Sequence, residues 1–327
     1  MPNLVDKFGR EIKYLRISVT DRCDLRCQYC MLEKMTFLPK TDLLSLEELA
    51  KISHRFIDFG VEKIRISGGE PLVRKDVMEL FAQLSPRLGQ DLSELTLTTN
   101  GTQLSKYADH LASLGVKRIN LSLDSLNPDV FAKLTRRNVL SQVMEGIQAA
   151  KEAGLQIKLN TVLLPENLTD IPDMMRWAHA QNFDMSLIEI MPMGQTGVSR
   201  REQYVPMTAA KDLLTKHFDL SPVLNKDTLG GPARYSVVSE TGGRIGFISP
   251  LTNNFCAGCN RVRLTCTGRI YMCLGQDDHI DLRKVLREQG GNMDSEIARA
   301  VNLKPEAHDF SISDTPSLAR HMSVTGG

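Results

Sequence analysis

The first two thirds of this 327-residue chain alternate short apolar runs with amphipathic stretches, and this alternation limits the possible folds more than any other feature. Six apolar runs have the length of strands, at residues 14–20, 63–67, 94–99, 118–123, 157–162 and 184–189. Stretches between them, such as 45–59, 75–88 and 141–153, repeat apolar residues at helical spacing. Six strand–helix units predict a parallel sheet with right-handed crossovers. An open relative of the TIM barrel and a doubly wound sheet both satisfy this pattern.

The ends of the predicted helices carry their own signals. Ser45 and Glu48 stand three residues apart at the start of the first helical stretch, as in a capping box. Gly60, Gly115 and Gly154 follow helical stretches at the point where a left-handed residue ends a helix. These signals support the helix assignments independently of the apolar spacing.

The pattern changes beyond about residue 195, where prolines, glycines and short polar runs replace the strand–helix units. A helix is predicted over residues 209–217, and hairpin strands over 235–239 and 244–248 are joined by a turn at Gly242-Gly243. No low-complexity linker separates this part of the chain from the rest. The sequence therefore predicts an α/β domain over residues 1–220 and an α+β extension over residues 221–327 that packs directly on it.

Three cysteines follow the first predicted strand with the spacing Cys-x₃-Cys-x₂-Cys, at Cys23, Cys27 and Cys30. Three thiolates bind three irons of a [4Fe–4S] cluster, whereas an ordinary cluster of this type has four cysteine ligands. The fourth iron would keep an open position, as catalytic metal sites do. Zinc is the weaker interpretation, because structural zinc sites have four protein ligands and no fourth Cys or His lies nearby.

A second triplet, Cys256-x₂-Cys259-x₁₃-Cys273, lies in the extension. A zinc knuckle is the alternative here, but this triplet too has no fourth ligand other than Cys266. Cys266 ends an alternating apolar run and is predicted to be a small core side chain that binds no metal. Together with the first triplet, the second one favours another cluster with an open iron.

Further candidate residues fall at the carboxyl ends of predicted strands, where parallel barrels build their sites. Gly68-Gly69-Glu70-Pro71 follows the second strand, and its glycines allow the backbone to approach a ligand closely. Alone, this motif would be an ordinary turn about as often as a site. Ser122 ends the fourth strand, where a helix cap is the simpler explanation.

Composition excludes several classes of protein. The hydrophobic content of 42% and charged content of 24% are ordinary for a globular protein, and a net charge of +1 gives no basis for binding nucleic acid. No apolar run is long enough to span a bilayer, and the first residues show no signal-peptide segment. The clustered cysteines are typical of a reducing compartment. We therefore expect a cytoplasmic protein with no nucleic-acid or membrane partner.

The first cysteine motif with its aromatic Tyr29, and the Gly-Gly-Glu-Pro loop one strand later, resemble the radical S-adenosylmethionine (SAM) superfamily. The resemblance implies a partial (β/α)₆ TIM-like barrel with a lateral opening, and an open iron that binds the amino and carboxylate groups of SAM. Electron transfer to SAM would release a 5′-deoxyadenosyl radical. The cofactor contacts implied by the resemblance are Tyr29, Gly69, Glu70, Ser122 and Met191.

The two triplets, an Arg-x-Arg immediately after the Cys256–Cys259 pair, and a terminal Gly326-Gly327 resemble more narrowly the molybdenum cofactor biosynthesis protein A family, the GTP 3′,8-cyclases. The resemblance covers the chain from about Phe8 to its last residue. It implies two [4Fe–4S] clusters, with guanine of GTP on the open iron of the second. The radical would remove the 3′ hydrogen of the ribose, and carbon 3′ would then attack carbon 8 of the base. The product, (8S)-3′,8-cyclo-7,8-dihydroguanosine 5′-triphosphate, begins molybdenum cofactor biosynthesis.

The family resemblance also implies which residues bind GTP and which partners act with the enzyme. The implied GTP contacts are Arg16, Arg65, Thr98, Lys158, Arg261, Val262 and Arg263, and the implied catalytic residues are Arg16, Arg261 and Arg263. For any single cation, a solvated or salt-bridged charge is the simpler explanation. Several convergent cations in a nearly neutral chain favour a polyphosphate pocket. The implied partners are a one-electron donor such as flavodoxin or ferredoxin, the next enzyme of the pathway, and a second copy in a homodimer.

One position departs from the family pattern, and two other classes of protein remain possible. Many members carry arginine where this chain has Ser186, so a cation near the SAM carboxylate is missing. A different radical SAM enzyme with an auxiliary cluster, such as a peptide maturase, would not need the GTP cations. A non-enzymatic zinc or iron–sulfur module would not need the Gly68–Pro71 loop. The terminal diglycine is predicted to enter the barrel mouth near Arg16.

Overall fold

A computed structural model describes residues 3–223, 231–288, 290–313 and 317–326. Twelve strands are defined in these residues. They are β1 (Tyr14–Ser18), β2 (Lys63–Ser67), β3 (Glu94–Thr99), β4 (Arg118–Ser122), β5 (Gln156–Val162), β6 (Asp184–Ile188), β7 (Leu220–Pro222), β8 (Arg234–Val238), β9 (Arg244–Ile248), β10 (Arg261–Leu264), β11 (Arg269–Tyr271) and β12 (His279–Asp281). The predicted bounds of β2 and β3 match the structure, and those of β1, β4, β5 and β6 differ from it at one end by two residues at most.

The strands form one sheet in the order β12-β11-β10-β1-β2-β3-β4-β5-β6-β9-β8-β7. β1 to β6 are parallel and follow chain order, which is the order of a barrel. A doubly wound sheet reverses its order at a switch point, so that alternative is wrong. The extension adds β10 parallel to β1 at one edge and β9 parallel to β6 at the other. The result is the predicted partial (β/α)₆ barrel, open along one side in the described part of the chain, whose sheet continues into an α+β extension.

Eleven α-helices are defined in the described residues; most cover the outer face of the sheet, and the last lies in the carboxyl-terminal tail beside β1. They are α1 (Leu46–Asp58), α2 (Met78–Leu84), α3 (Leu104–Ser113), α4 (Pro128–Thr135), α5 (Leu140–Glu152), α6 (Ile171–Ala180), α7 (Arg200–Gln203), α8 (Met207–Leu214), α9 (Leu282–Arg287), α10 (Met293–Asn302) and α11 (Met322–Thr325). Leu15 and Ile17 of β1 are fully buried in the same apolar core as Ile52 and Phe56 of α1. Because strand side chains alternate between faces, Arg16 and its equivalents on other strands point into the barrel.

The predicted helix ends are confirmed. The Ser45 hydroxyl accepts a bond from the Glu48 amide, and the Glu48 carboxylate accepts one from the Ser45 amide, a capping box that contributes about 1 kcal/mol. Gly60, Gly115 and Gly154 follow α1, α3 and α5 with positive φ. The turn at Gly242-Gly243 joins β8 to β9 in an antiparallel pair, as predicted.

Two helix predictions differ from the structure, one in length and one in position. The stretch 75–88 is helical only over Met78–Leu84, because Asp76 has a φ of +58° before it and a 3₁₀ turn with Pro86 follows it. The stretch 209–217 corresponds to α8, which begins after Pro206 and ends at Leu214. No helix among the described residues is long and apolar enough to cross a membrane.

Candidate active site

The first cysteine triplet lies in the loop that follows β1. The main-chain oxygen of Cys27 accepts bonds from the amides of Cys30 and Met31, which turns the loop so that its three thiols share one region. Burial raises the pKa of Cys27 well above its usual range, and the Asp124 carboxylate, Cys23 and Cys30 raise it further. Burial also raises the pKa of Cys30 to about 11. Thiols that influence one another in a buried space fit a cluster, whose iron would stabilise their thiolate forms.

Carboxylates anchor this loop to the ends of the central strands. Asp24 accepts bonds from Asn100 Nδ2 at 2.7 Å and from Thr102 Oγ1 at 2.6 Å. The same Asn100 nitrogen lies 3.7 Å from Cys23 Sγ. Tyr29 donates its hydroxyl to Asp124 Oδ2 at 2.7 Å. These supporting residues were not predicted, although Asn100 directly follows β3 and Asp124 closely follows β4, the same positions that marked other candidates.

The Gly68-Gly69 segment packs directly on the cysteine loop. The Gly69 amide donates to Thr20 O and the Glu70 amide to Arg22 O, both at 2.8 Å. A Cβ at Gly69 would lie 2.4 Å from Arg22 O, so a side chain there would push the two segments apart. The glycines therefore serve a close approach between two backbones, in addition to any approach to a ligand.

The side chain of Glu70 binds protein groups and not the barrel opening. Its fully buried carboxylate accepts bonds from the amides of Leu72 and Asn100 and from the Thr99 hydroxyl. Burial raises the pKa of Glu70 to about 8, although the bonds from Asn100 and Leu72 oppose this. Of the predicted cofactor contacts, Glu70 can therefore offer its main-chain oxygen, while its carboxylate holds the end of β3 in place.

Three arginines lie side by side on adjacent strands inside the barrel. Arg263 of β10 is opposite Arg16 of β1, and Arg16 is opposite Arg65 of β2. Burial lowers the pKa of Arg16 well below its usual range, and repulsion from Arg263 and Arg65 contributes to this. We call these three residues the arginine row. A row of like charges on neighbouring strands is unfavourable unless an anion binds to it.

Carboxylates at the start of the strands pair with other cations instead. Glu94 pairs with Lys63 and Arg118, and Asp184 pairs with Arg244. Lys63 and Glu94 are the first residues of β2 and β3, and so lie one layer below the arginine row. These pairs close the bottom of the barrel, and the row above them stays available to a ligand.

Buried polar atoms without partners surround the same interior. Among the described residues, Arg65 Nε, Thr98 Oγ1, Asn120 Oδ1 and Asn160 Oδ1 accept or donate no hydrogen bond. Thr98 is opposite Asn120, and Asn120 is opposite Lys158, so these residues continue across β3, β4 and β5. Buried polar atoms in native proteins are nearly always satisfied by protein, water or ligand. The interior therefore fits a polar ligand along most of its width.

Lys158 is the cation on the far side of this interior. Its ammonium lies 5.0 Å from the centre of the Tyr235 ring. Burial lowers the pKa of Lys158 to about 7, and repulsion from Arg65 and Arg118 adds to this. An anionic ligand would restore its charge.

Arg261 and Val262 are placed differently from the arginine row. The Arg261 guanidinium carbon lies 5.3 Å from the Phe255 ring, and Arg261 also interacts with Cys259 of the second triplet. The Val262 side chain is fully buried in the apolar core, so only its main chain can face GTP. The arginines predicted to bind GTP thus lie in two places. The arginine row lies beneath the barrel mouth, and Arg261 lies beside the second triplet.

Ser186 has a neighbour that explains how the barrel accommodates its small side chain. Ser186 is opposite Gly246 of β9, and a Cβ at Gly246 would lie 2.6 Å from Ser186 Oγ and 2.9 Å from Tyr235 Cε1. Tyr235 therefore fills the space beside Ser186, where a long cationic side chain was expected from the family pattern. Ser122, which is a predicted SAM contact, is opposite Asn160 on the neighbouring strand.

The β10–β11 hairpin brings the second triplet together. Cys256 and Cys259 lie on the turn before β10, and Cys273 follows β11. Burial raises the pKa of Cys259, but Arg261 and Lys304 outweigh it and bring the pKa to about 6. Cys266 is fully buried, as predicted for a core side chain. Across both triplets, no three His, Cys, Asp or Glu side chains of the described residues form a group that could hold a single metal ion.

The carboxyl-terminal tail enters the barrel mouth. Gly194, three residues after Met191, donates its amide to Leu318 O, which aligns the tail with the loop after β6. Ser18 Oγ donates to Ser323 O at 3.3 Å. Gly326 then lies beside Ser67 and Arg16, which are hydrogen-bonded to each other, so the tail reaches Arg16 as predicted for the diglycine; Gly327 is outside the described residues.

Comparison with known proteins places the whole chain in one family. The Radical SAM superfamily model matches residues 17–178, and the Molybdenum Cofactor Synthesis C model matches residues 183–310. A GTP 3′,8-cyclase of Mesorhizobium japonicum is 55% identical over 332 residues, which cover 99% of this chain and 100% of the relative. This chain belongs to the GTP 3′,8-cyclase family. A GTP 3′,8-cyclase of Brucella ovis is 54% identical over 331 residues, 99% of this chain and 96% of that relative.

Solved structures with the same fold are more distant. SuiB of Streptococcus suis bound to S-adenosylmethionine has a TM-score of 0.63 and 15% identity, over 97% of this chain and 79% of SuiB. A structure of anSMEcpe with bound AdoMet has a TM-score of 0.51 and 16% identity, over 62% of this chain and 56% of that one. At such identities the likeness concerns the fold alone.

Family membership decides between the interpretations that the sequence left open. A peptide maturase and a non-enzymatic metal module are both set aside, because the whole chain matches GTP 3′,8-cyclases. The predicted cofactors, SAM and two [4Fe–4S] clusters, are confirmed at the level of the family. The individual site residues remain predictions, which the geometry above supports to different degrees.

Proposed function

We propose that this chain converts GTP into (8S)-3′,8-cyclo-7,8-dihydroguanosine 5′-triphosphate, the first step of molybdenum cofactor biosynthesis. The observation that carries the proposal is the arginine row, which lies inside a barrel whose mouth is bordered by two cysteine triplets. A triphosphate supplies the anion that this row lacks, because arginine binds phosphate oxygens in bidentate fashion. The Thr98 hydroxyl and Lys158 extend the same surface.

The residues of the first triplet would hold one cluster, and the residues around it would hold SAM. Cys23, Cys27 and Cys30 are the ligands of this cluster. Bound together, the cluster and SAM supply the organic radical that removes the 3′ hydrogen of the ribose. Tyr29, the main chain at Gly69 and Glu70, Ser122 and Met191 surround the cofactor. Asp124 and Asp24 keep these parts in register with the strand ends.

The residues of the second triplet would fix the base relative to the ribose. Cys256, Cys259 and Cys273 hold the second cluster, which when bound offers guanine an open coordination position. Arg261 stands beside these thiols, and Arg263 reaches from the arginine row to the tail. These cations hold the base and triphosphate in one pose, so that carbon 8 stays next to carbon 3′.

The tail completes the pocket. Gly326 leaves no space beside Ser67. The main-chain oxygen of Gly326 accepts a hydrogen bond from Arg263 Nη1 at 2.8 Å. Ser323 and Thr325 are buried with it. A covered pocket protects a radical from side reactions and strengthens charge interactions. The enzyme also draws on a one-electron donor such as flavodoxin or ferredoxin, passes its product to the next enzyme of the pathway, and forms a homodimer.

GTP affinity tests the proposed binding of the triphosphate by the arginine row. Arg65→Met removes a charge-assisted contact of about 1.5–3 kcal/mol and should weaken binding of GTP to the reconstituted protein by roughly tenfold to a hundredfold. Arg176→Met is the matched control, because Arg176 belongs to α6 on the outside of the sheet, where it pairs with Asp173 and lies over the Phe218 ring. An Arg65 variant that binds GTP as tightly as the control would overturn the assignment of the row to the triphosphate.

A further inference from the structure

Lys304 is a buried lysine beside the second triplet. It follows α10 and is only 2% exposed. Its Nζ donates to the main-chain oxygens of Arg261 at 2.8 Å and Met272 at 2.7 Å, and lies 3.5 Å from Cys259 Sγ. None of these three partners is a carboxylate. A buried ammonium needs a compensating negative charge, and the nearest group able to carry one is the Cys259 sulfur.

The two carbonyls belong to the two segments that supply the thiols. Arg261 is two residues after Cys259, and Met272 directly precedes Cys273. Lys304 therefore joins the start of β10 to the end of β11 across the site. A shift of Lys304 would move two of the three sulfurs relative to each other.

Arg10 binds the segment that carries the third cysteine of this triplet, Cys256. Its Nη1 donates to Cys256 O and to Glu306 O, both at 2.9 Å, and its Nη2 donates to Pro305 O. Arg10 is also paired with Asp6, so its charge is already neutralised. The segment 304–306 is thus fixed to all three cysteine segments, and Lys304 supplies the charge that has no carboxylate partner among the described residues.

The two triplets have opposite electrostatic surroundings. The loop of the first is anchored by the half-buried carboxylate of Asp24 and the buried carboxylate of Asp124, with Arg200 bonded to the Tyr29 carbonyl. The second has Lys304 and Arg261 at its sulfurs. Reduction adds an electron, which a nearby cation and a hydrogen bond to sulfur both favour.

We propose that Lys304 is a positioning residue that holds Cys259 and raises the reduction potential of the second cluster. The proposal rests on the proposed function, which places a cluster on Cys256, Cys259 and Cys273. It assigns Lys304 a role that neither the superfamily motif nor the arginine row supplies. Lys304 touches a ligand of the cluster and acts through it.

The test isolates the second cluster by replacing Cys23, Cys27 and Cys30 with alanine. Lys304→Met, Lys304→Arg and, as the matched control, Lys284→Met on the exposed face of α9 are made in this background. Iron per chain and the midpoint potential are measured by anaerobic reconstitution and a redox titration followed by electron paramagnetic resonance. We expect Lys304→Met to disfavour one-electron reduction at least tenfold, a fall of 59 mV or more, with an altered resonance signal. Lys304→Arg should retain most of the parental potential, and Lys284→Met all of it.

The outcomes separate the two proposals. An iron-loaded Lys304→Met protein with the potential of the Lys284 control would overturn the role of Lys304 and leave the cluster assignment intact. If the Lys304→Met variant takes up no iron, uptake of iron by the Lys304→Arg variant supports the proposal. If neither variant takes up iron while both keep the parental circular dichroism spectrum, the proposal is overturned. A background protein that binds no iron with Lys304 present would overturn the second cluster itself, and the inference with it.

Discussion

Arg263 donates a hydrogen bond from Nη1 to the main-chain oxygen of Gly326 at 2.8 Å, which joins the arginine row to the tail of the chain. Arg263 belongs to β10, the strand that the extension adds beside β1. The same contact therefore links the barrel, the second-cluster hairpin and the tail. A group that binds to the row will meet all three parts of the chain.

Gly326→Ala should expel the tail and impair cyclisation. Gly326 has a φ of +79°, and a Cβ there would lie 2.1 Å from Ser67 Oγ. Displacement of a positioning element by about 1 Å can reduce a rate by roughly a hundredfold. We expect a loss of GTP cyclisation of that order, measured by product chromatography, with unchanged iron content.

Gly154→Ala is the matched control for that variant. Gly154 has nearly the same φ, +76°, but no atom lies within 4 Å of a Cβ built there. It carries the same backbone strain of about 1–2 kcal/mol without a clash. Equal rates for the two variants would show that the tail does not complete the pocket.

GTP affinity should fall as the pH rises above about 7. Burial and neighbouring cations hold the pKa of Lys158 at about 7 in the free protein, so its charge is present below this pH and is lost above it. Because the triphosphate favours the charged form, the dissociation constant should rise by up to tenfold per pH unit between about 7 and 8. Calorimetric titration with GTP measures this.

Lys158→Arg is the control for the pH dependence, since arginine stays charged over the whole range. We expect its GTP affinity to be nearly independent of pH between about 7 and 8. A parental protein with constant affinity over that range, or an arginine variant with the parental slope, would contradict the role given to Lys158.

Cys266→Ala and Cys273→Ala should differ in iron content. Cys266 is fully buried, and its main-chain oxygen accepts a bond from the Leu44 amide, whereas Cys273 faces the other two thiols of its triplet. We expect the Cys266 variant to retain the parental iron after reconstitution and the Cys273 variant to lose about half of it, one cluster of two. A similar loss in both variants would make Cys266 a ligand.

Cys256→Ala separates the two clusters by function. Because the first triplet and its supporting carboxylates lie on other segments, this variant should still cleave SAM reductively while forming no cyclised nucleotide. The amounts of 5′-deoxyadenosine and of product, measured in the same reaction, decide this. Normal cyclisation by the variant would exclude the second triplet from the substrate site.

The sequence predicted the parts of the fold and site that depend on local pattern. β2 and β3 match their predicted bounds, since each apolar run is bordered by polar residues. The cysteine spacings predicted both triplets. Arg16 alternates with apolar neighbours in β1, and this local pattern matches its place inside the barrel.

The remainder depends on contacts between distant residues, which a single sequence does not encode in any local signal. The strand over residues 244–248 was predicted, but its parallel pairing with β6 was not, nor was the pairing of β10 with β1. In the sequence, nothing distinguishes Lys304 and Arg10 from surface cations. Lys304 is 45 residues from Cys259 in the sequence, and Arg10 is 246 residues from Cys256; the fold brings each pair together. Glu70 was predicted as a cofactor contact; its carboxylate has three protein donors, which leaves its main-chain oxygen for that contact.

Transfer of the 3′ hydrogen of GTP is the most direct test of the central claim. The reconstituted protein is given SAM, a chemical reductant and GTP labelled with deuterium at carbon 3′, without oxygen, and both products are examined by mass spectrometry. We expect deuterium in 5′-deoxyadenosine together with a cyclised triphosphate that has lost it. Unlabelled 5′-deoxyadenosine with GTP recovered unchanged would contradict it.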